Sequence, residues 1–397
     1  MATAKIPNCG RLGKFPYKFT AIRSYLVNYD DLDVSRIVNA QGNTTPLGSC
    51  TLSEGVIDAM AYAARRSVDV DEFWRAAGRF LAKATGAEDA CPATGAAAGM
   101  AIAVAAVIAG TDTTRIERLP DAGGLPNEVI LQKGHSISYG GAPIGQMIAL
   151  GGGRAVEVGA VNAIRRAHVA GAINDRTAAL VYVTSSVHTA VRGAISLEET
   201  VAIGREYSIP VIVDAAAEGD PASWVGSGAD LVIFSGPKVM GAPTAGFICG
   251  TSSLIEACRA QYLGIARPMK VGKESLMGLL QAVGEYTSGA GLPDPDAQRA
   301  RMAALAIRVA EIPGLSTEVV GDDAGRAISR VLITIDPDTY GFDAPSLNEV
   351  LKEGSPAVYL RDFKMHLGKL EIDPRPLDPA GEDEIVRRLA ELCRGSV

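Results

Sequence analysis

Three short segments of this chain carry residue types that can act together on one small molecule. The first is Val211-Ile-Val-Asp214, an apolar run that ends in a carboxylate. A carboxylate at the end of a buried strand is costly unless it is paired, and a protonated ring nitrogen is a fitting partner. The plainer alternative is an aspartate that only caps the following turn. The second is Phe234-Ser-Gly-Pro-Lys238, just past the next apolar run. A lysine there reaches the crevice at the strands' C-terminal ends. Burial lowers the proton affinity of its amine, as bond formation to an aldehyde requires. The alternative is a solvated loop lysine. The third is Thr94-Gly-Ala-Ala-Ala-Gly99, small residues that open an Ala-rich helix. The first N–H groups of such a helix are open to a phosphate, although small residues also serve packing alone.

The order of the three is more specific than any one of them: phosphate turn, acid after a strand, lysine after the next strand. Pyridoxal 5'-phosphate (PLP) has a handle for each. Asp214 holds its pyridine nitrogen protonated and so keeps the ring an electron sink. Ser235 donates its hydroxyl to the phosphate, and Gly236-Pro237 form the turn between serine and lysine.

The elements that must position these groups are legible as alternating patterns. Apolar runs of four to six residues occur at Glu128–Gln132, Arg154–Val158, Ala179–Val183, Pro210–Asp214, Asp230–Phe234 and Ala245–Cys249. Continuous runs rich in β-branched residues suit strands buried on both faces of a mostly parallel sheet. Helical patterns lie among them and before them, at Ser53–Arg66, Asp69–Thr85 and Thr94–Ile108. The reading is an α/β fold. Residues 1–30 form an N-terminal arm, 31–273 a large cofactor-binding domain and 274–397 a small α+β C-terminal domain. The small domain holds a long helix at Glu274–Ser288, strands at Ser329–Ile335, Ala357–Leu360 and Lys369–Ile372, and a terminal helix at Glu382–Arg394.

Composition narrows the function classes. The chain has 397 residues, is 47% hydrophobic and carries a formal net charge of −7. That acidic balance argues against a broad nucleic-acid footprint. The six cysteines form no Cys-x-x-Cys pair, which points to reduced thiols in the cytoplasm and to no metal site. The longest apolar stretch, Gly95–Gly110, is shorter than a membrane span, and the N-terminus has no apolar leader.

The chain resembles the SelA-like PLP enzymes of fold type I, the aminotransferase-like architecture. This group contains L-seryl-tRNA(Sec) selenium transferase and D-glucosaminate-6-phosphate ammonia-lyase relatives. The resemblance runs from Ile37 to Arg394. It rests on Ile37–Gly48, Thr94–Gly99, Gln132-Lys-Gly-His135, Val156–Gly159, Asp230–Lys238, Gly241–Thr244 and Gly264–Lys273. It implies that Lys238 holds PLP as a Schiff base and shuttles the α-proton, with Asp214 on the ring nitrogen and His135 stacked on the ring. A structural histidine is the alternative for His135. It further implies that Thr94, Gly95, Ala96 and Ser235 cradle the phosphate, with Thr244 from a neighbouring subunit. Arg361 is the first choice for the substrate carboxylate and Arg375 the second, since guanidinium is suited to bidentate recognition; a surface ion pair is the alternative for each. Arg267, Lys270, Ser186 and His188 line the substrate side, and Asn39 and Thr45 reach a neighbour's site. Three segments depart from the pattern of the group: Gly-Pro-Lys before the lysine amine, Ala-Ala-Ala-Glu after Asp214, and Ser185-Ser-Val-His188. The selenium transferase's additional tRNA-binding region is replaced by a short arm. The expected function is a PLP-dependent lyase performing α,β-elimination on a small amino acid or amino-sugar acid. A homodimer or higher homo-oligomer with shared sites is expected. An amino-acid racemase or epimerase is the enzymatic alternative, and a non-catalytic PLP-binding or partner subunit the alternative of another class.

Overall fold

This computed structural model describes residues 27–139, 142–184, 193–290 and 294–393. In chain order the strands are β1 (Ile37–Ala40), β2 (Asp89–Ala93), β3 (Glu128–Gln132), β4 (Ser138–Tyr139), β5 (Ala142–Pro143), β6 (Arg154–Val158), β7 (Thr177–Val183), β8 (Val211–Asp214), β9 (Leu231–Ser235), β10 (Gly246–Gly250), β11 (Leu315–Gly321), β12 (Ser329–Ile335), β13 (Ala357–Leu360) and β14 (Lys369–Ile372). Seven of them form one sheet in the order β2-β10-β9-β8-β7-β3-β6. β10 runs antiparallel to β2 and β9, while the remaining pairs are parallel. β3, β8 and β9 are buried at every position, as strands covered by helices on both faces must be.

The helices that cover this sheet begin where the sequence provides caps. α1 (Glu54–Ala64) starts on Ser53, whose side chain accepts from the Val56 N–H, and α2 (Val70–Thr85) starts on Asp69, which accepts from Glu72. α3 (Ala96–Ala109) is apolar all round and buries ten of its residues against the sheet. Its Gly99 is obligatory: a Cβ there would lie 2.7 Å from Ile233 Cγ2.

The small unit is a three-stranded antiparallel sheet, β11-β12-β14, packed on the helices Pro295–Ala310, Ala344–Lys352 and Pro379–Leu392. Two boundaries differ from the sequence-based division at 273/274. β1 pairs in parallel with β13, and Ala40 joins the small unit's core, so the small unit begins with residues from the N-terminal side. The helix Lys273–Thr287 packs instead on α1 and the large sheet through Leu276, Leu279, Ala282 and Val283. The expected arm over 1–30 falls outside the described residues up to residue 26. No helix among the described residues is long and apolar enough to cross a membrane.

Candidate active site

The parallel strands deliver their C-terminal ends to one edge of the sheet. Val183 of β7 is in register with Asp214 of β8, and Asp214 is in register with Ile233 of β9. Ser235 ends β9 opposite Gly246, and Gly246 also faces Ala93 of β2. Asp214, Ser235 and the Thr94-Gly95 turn therefore share one edge, and the short helix Gly236–Val239 carries Lys238 directly after Ser235. Gly246 fixes how closely these pieces approach. A Cβ on it would come 2.5 Å from the Phe234 carbonyl and 2.9 Å from Gly95 Cα, both backbone atoms.

Asp214 is 4% exposed, and its Oδ1 accepts from the Ala216 N–H at 3.1 Å. Burial pushes the Lys238 amine below the usual lysine range. The charges of Asp214 and Glu218 act against that shift, and the Arg326 guanidinium adds to it. These four groups form one electrostatic cluster. His135, in the turn after β3, is buried. Its Nδ1 accepts from the Val183 N–H at 3.2 Å, and its ring meets Tyr182 edge-on. Burial lowers its pKa to about 4, so the ring is neutral at ordinary pH. α3 begins on Gly95 with no side-chain cap, which leaves its first N–H groups without intrahelical partners. A Cβ added to Gly95 would meet nothing within 4 Å, so open space adjoins those donors. A buried acid, a lysine of lowered basicity and an uncapped helix start facing open space fit the ring nitrogen, aldehyde and phosphate of PLP.

The two candidate arginines differ in surroundings. Arg361 is 4% exposed, forms an ion pair with Glu371 (Nε–Oε2 2.8 Å) and lies over the Phe363 ring. Arg375 is more open and grips Asp373 with a two-pronged pair at 2.9 and 2.8 Å. It also borders the loop after β1, since a Cβ on Gly42 (φ +105°) would lie 2.8 Å from Arg375 Nη2. The next residue, Asn43, donates its Nδ2 to the Lys238 carbonyl at 3.0 Å. Arg375 thus stands one residue from a contact with the lysine helix. Arg267 and Lys270 stand exposed on a turn whose Gly264 packs on Ile116, outside the Lys238 cluster of this chain. Thr244 is exposed, Asn39 shapes the loop through Gln41 and Gly42, and Thr45 is exposed. Ser186 and His188 lie outside the described residues.

Three further polar residues join the site. Asn43 lies inside the Ile37–Gly48 segment, between the two residues that drew notice there, and Glu218 ends the unusual Ala-Ala-Ala-Glu run. Arg326 carries no local signal, because only the fold brings the β11–β12 connection to Ala217, whose carbonyl it contacts at 3.3 Å.

Comparison with known proteins identifies the family and the fold. The family model described as L-seryl-tRNA selenium transferase matches residues 37–307. A Streptomyces protein named 5'-C-glycyluridine monooxygenase-decarboxylase is 63% identical over 374 residues, covering 93% of this chain and 92% of that one. The D-glucosaminate-6-phosphate ammonia lyase of Salmonella typhimurium is 40% identical over 365 residues, covering 92% and 97%. A solved D-glucosaminate-6-phosphate ammonia-lyase superposes with a TM-score of 0.85 at 40% identity, covering 92% of this chain and 97% of that one. At 14% identity, a structure of SPT with PLP shares the fold alone, with a TM-score of 0.55 over 90% of this chain and 87% of that one.

Proposed function

The chain belongs to the L-seryl-tRNA selenium transferase family, and from that membership we propose that it is a PLP-dependent enzyme that breaks a bond at Cα of an amino acid continued into a sugar. The observation that carries the proposal is the buried Asp214 beside a Lys238 whose amine burial makes less basic, on adjacent strand ends. PLP, when bound, withdraws electrons from Cα of an amino acid joined to it.

The chain's own residues have the following work. Asp214 holds a proton on the ring nitrogen from a site closed to water. Lys238 would hold the aldehyde of PLP, and its Nζ would be the group placed to carry a proton to or from the substrate. His135 presents a neutral ring face. The free N–H groups at the start of α3 and the Ser235 hydroxyl hold the phosphate. Arg375 takes the substrate carboxylate; Arg361 is the second candidate for that role. Thr244, Arg267 and Lys270 serve from a neighbouring copy in a homo-oligomer, and the enzyme works in the cytoplasm without a nucleic-acid partner.

Both relatives' names describe an amino acid whose carbon chain runs into a sugar. They differ in the bond broken. Elimination with release of ammonia, the outcome expected from the sequence, is the chemistry named for the relative at 40% identity. Loss of the carboxylate with use of oxygen is named for the relative at 63%, and that identity over nine-tenths of both chains makes it the outcome to test first. A racemase needs a second acid on the face opposite Lys238. His135 is poorly suited, because its Nδ1 is engaged by Val183 and its basicity is low.

The test supplies 5'-C-glycyluridine and D-glucosaminate 6-phosphate separately and follows oxygen uptake, carbon dioxide, ammonia and keto acid. Oxygen uptake with carbon dioxide marks the decarboxylating branch, and ammonia with keto acid marks elimination. Inversion at Cα with no bond broken would contradict both.

A further inference from the structure

We propose that Asn43 is a positioning residue for Lys238: from the loop after β1 it holds the lysine's carbonyl and so fixes the backbone from which the amine reaches the cofactor. This rests on the PLP reading of the site.

Two asparagines near this loop divide its work. Asn39 shapes the loop itself: its Nδ2 donates to the Gly42 carbonyl at 3.2 Å and its Oδ1 accepts from the Gln41 N–H at 3.0 Å. Asn43 spends its amide elsewhere. Its Nδ2 donates at 3.0 Å to the carbonyl of Lys238, 195 positions away. Its Oδ1 is buried and, among the described residues, has no hydrogen-bond partner. Leaving a buried acceptor unmet is unfavourable, so the oxygen gives no reason for an asparagine here. The bond to Lys238 does.

The lysine sits on a helix of four residues, Gly236–Val239, too short to hold its own shape. Its front end is fixed by packing. The Gly236 N–H donates to the Ala245 carbonyl at 3.0 Å, and a Cβ on Gly236 would come 2.7 Å from Ala242 Cβ and 2.9 Å from Leu279 Cδ1. Its rear end is met by the loop: Asn43 takes the Lys238 carbonyl, and Cys50 Sγ donates to the Ala242 carbonyl at 3.5 Å. Residues 43–50 thus cross 238–242 as a strap. The strap has a firm footing in the small unit. The Ala40 carbonyl accepts from the Asp373 N–H at 2.9 Å, and Gly42 is pressed against Arg375 Nη2 and Asp373 Oδ2. One loop therefore bears on the candidate carboxylate arginine and on the lysine turn.

This matters because a lysine amine rides on a flexible four-carbon stem. The backbone sets where that stem starts, and small displacements of a reacting group slow bond formation steeply. Without the Asn43 donor the turn shifts among more positions, and the amine meets the aldehyde less often.

The experiment uses the purified full chain freed of bound PLP and compares wild type with Asn43→Ala, Asn43→Leu and Asn43→Gln. Leucine keeps nearly the shape of asparagine without the donor, and glutamine keeps an amide. Two quantities are read: the rate at which added PLP gives a borohydride-reducible band at about 420 nm, and hydrogen exchange of the peptide spanning 236–242 before PLP is added. Ala and Leu are expected to form the band roughly three- to tenfold more slowly, the factor a neutral hydrogen bond is worth, and to exchange faster in that peptide, with Gln between them and wild type. A folded Ala or Leu variant with an unchanged rate overturns the proposal, as does a Gln variant as slow as Ala. A lower melting temperature with both readings unchanged would make Asn43 a structural residue only and also overturns it. If neither Ala nor Leu folds, the assignment fails. The wild-type sample separates the two readings: no reducible band in wild type fails the cofactor reading, whereas a wild-type band matched by every variant fails the role of Asn43 alone.

Discussion

Each side chain of the site is defined by what it touches, and that separates the two arginines. Arg361 and Glu371 are both nearly sealed from water. Replacing Arg361 by Gln takes one of two cations from a buried carboxylate, since Lys364 still reaches Glu371 at 2.7 Å. The expected result is a loss of about 1.5–3 kcal/mol of stability with KM little changed, the former read from urea midpoints. Arg375→Gln also takes a partner from a buried carboxylate, though Arg330 still holds Asp373 at 2.8 Å; it should lose a similar amount of stability and in addition raise KM by roughly 10–100-fold, the cost of about 1.5–3 kcal/mol for charged hydrogen bonds to a carboxylate. The reverse pattern would exchange their roles. His135 gives a pH dependence with a defined sign. Its folded pKa of about 4 lies below the ordinary value of 6.5, so the unfolded chain takes the proton first. The stability it confers is complete above pH 6.5 and is lost as pH falls toward 4, by roughly 3 kcal/mol at most. His135→Gln, which can still accept from Val183, should flatten that part of the stability profile; an identical profile would show that other groups carry it.

At the scale of elements, the phosphate turn and its support make opposite demands of two glycines. Gly95 borders open space, so Gly95→Ala should keep the melting temperature; if the start of α3 holds the phosphate as proposed, the new methyl beside those N–H groups should weaken PLP binding. Gly246→Ala drives a Cβ into backbone on two sides and should cost about 1–3 kcal/mol or more. Equal effects of the two on melting would contradict this division of labour. The same strands show what the sequence reveals and what it hides. β3, β7, β8 and β9 are legible as apolar runs because both faces are buried. β2 is not, since Asp89-Ala-Cys-Pro-Ala93 contains a proline and reads as a linker. It is a strand because it lies at the sheet's edge and pairs only with β10, where a residue without an N–H is tolerated. β1 is hidden for another reason: four residues in an Asn- and Gly-rich stretch become a strand only by pairing with β13, some 320 residues later. The antiparallel course of β10 is equally silent in a run that reads like its parallel neighbours.

Across the whole molecule, the site lies where the two units meet, and the chain crosses between them more often than a single boundary allows. The N-terminal segment contributes β1 to the small core and then passes Lys238 through Asn43, while Arg326 returns from the small sheet to Ala217. Lys238 and Asp214 were legible in the sequence because their chemistry sits at the end of patterned strands. The groups from the small unit were not, because they depend on long-range packing. The account stands or falls on the bond at Lys238. The most direct measurement is borohydride reduction of the full chain with PLP, followed by intact-mass and peptide mass spectrometry. The account predicts one pyridoxyl phosphate group per chain, carried by the peptide containing Lys238 and lost in Lys238→Ala; reduction that labels a different lysine, or none, would contradict it.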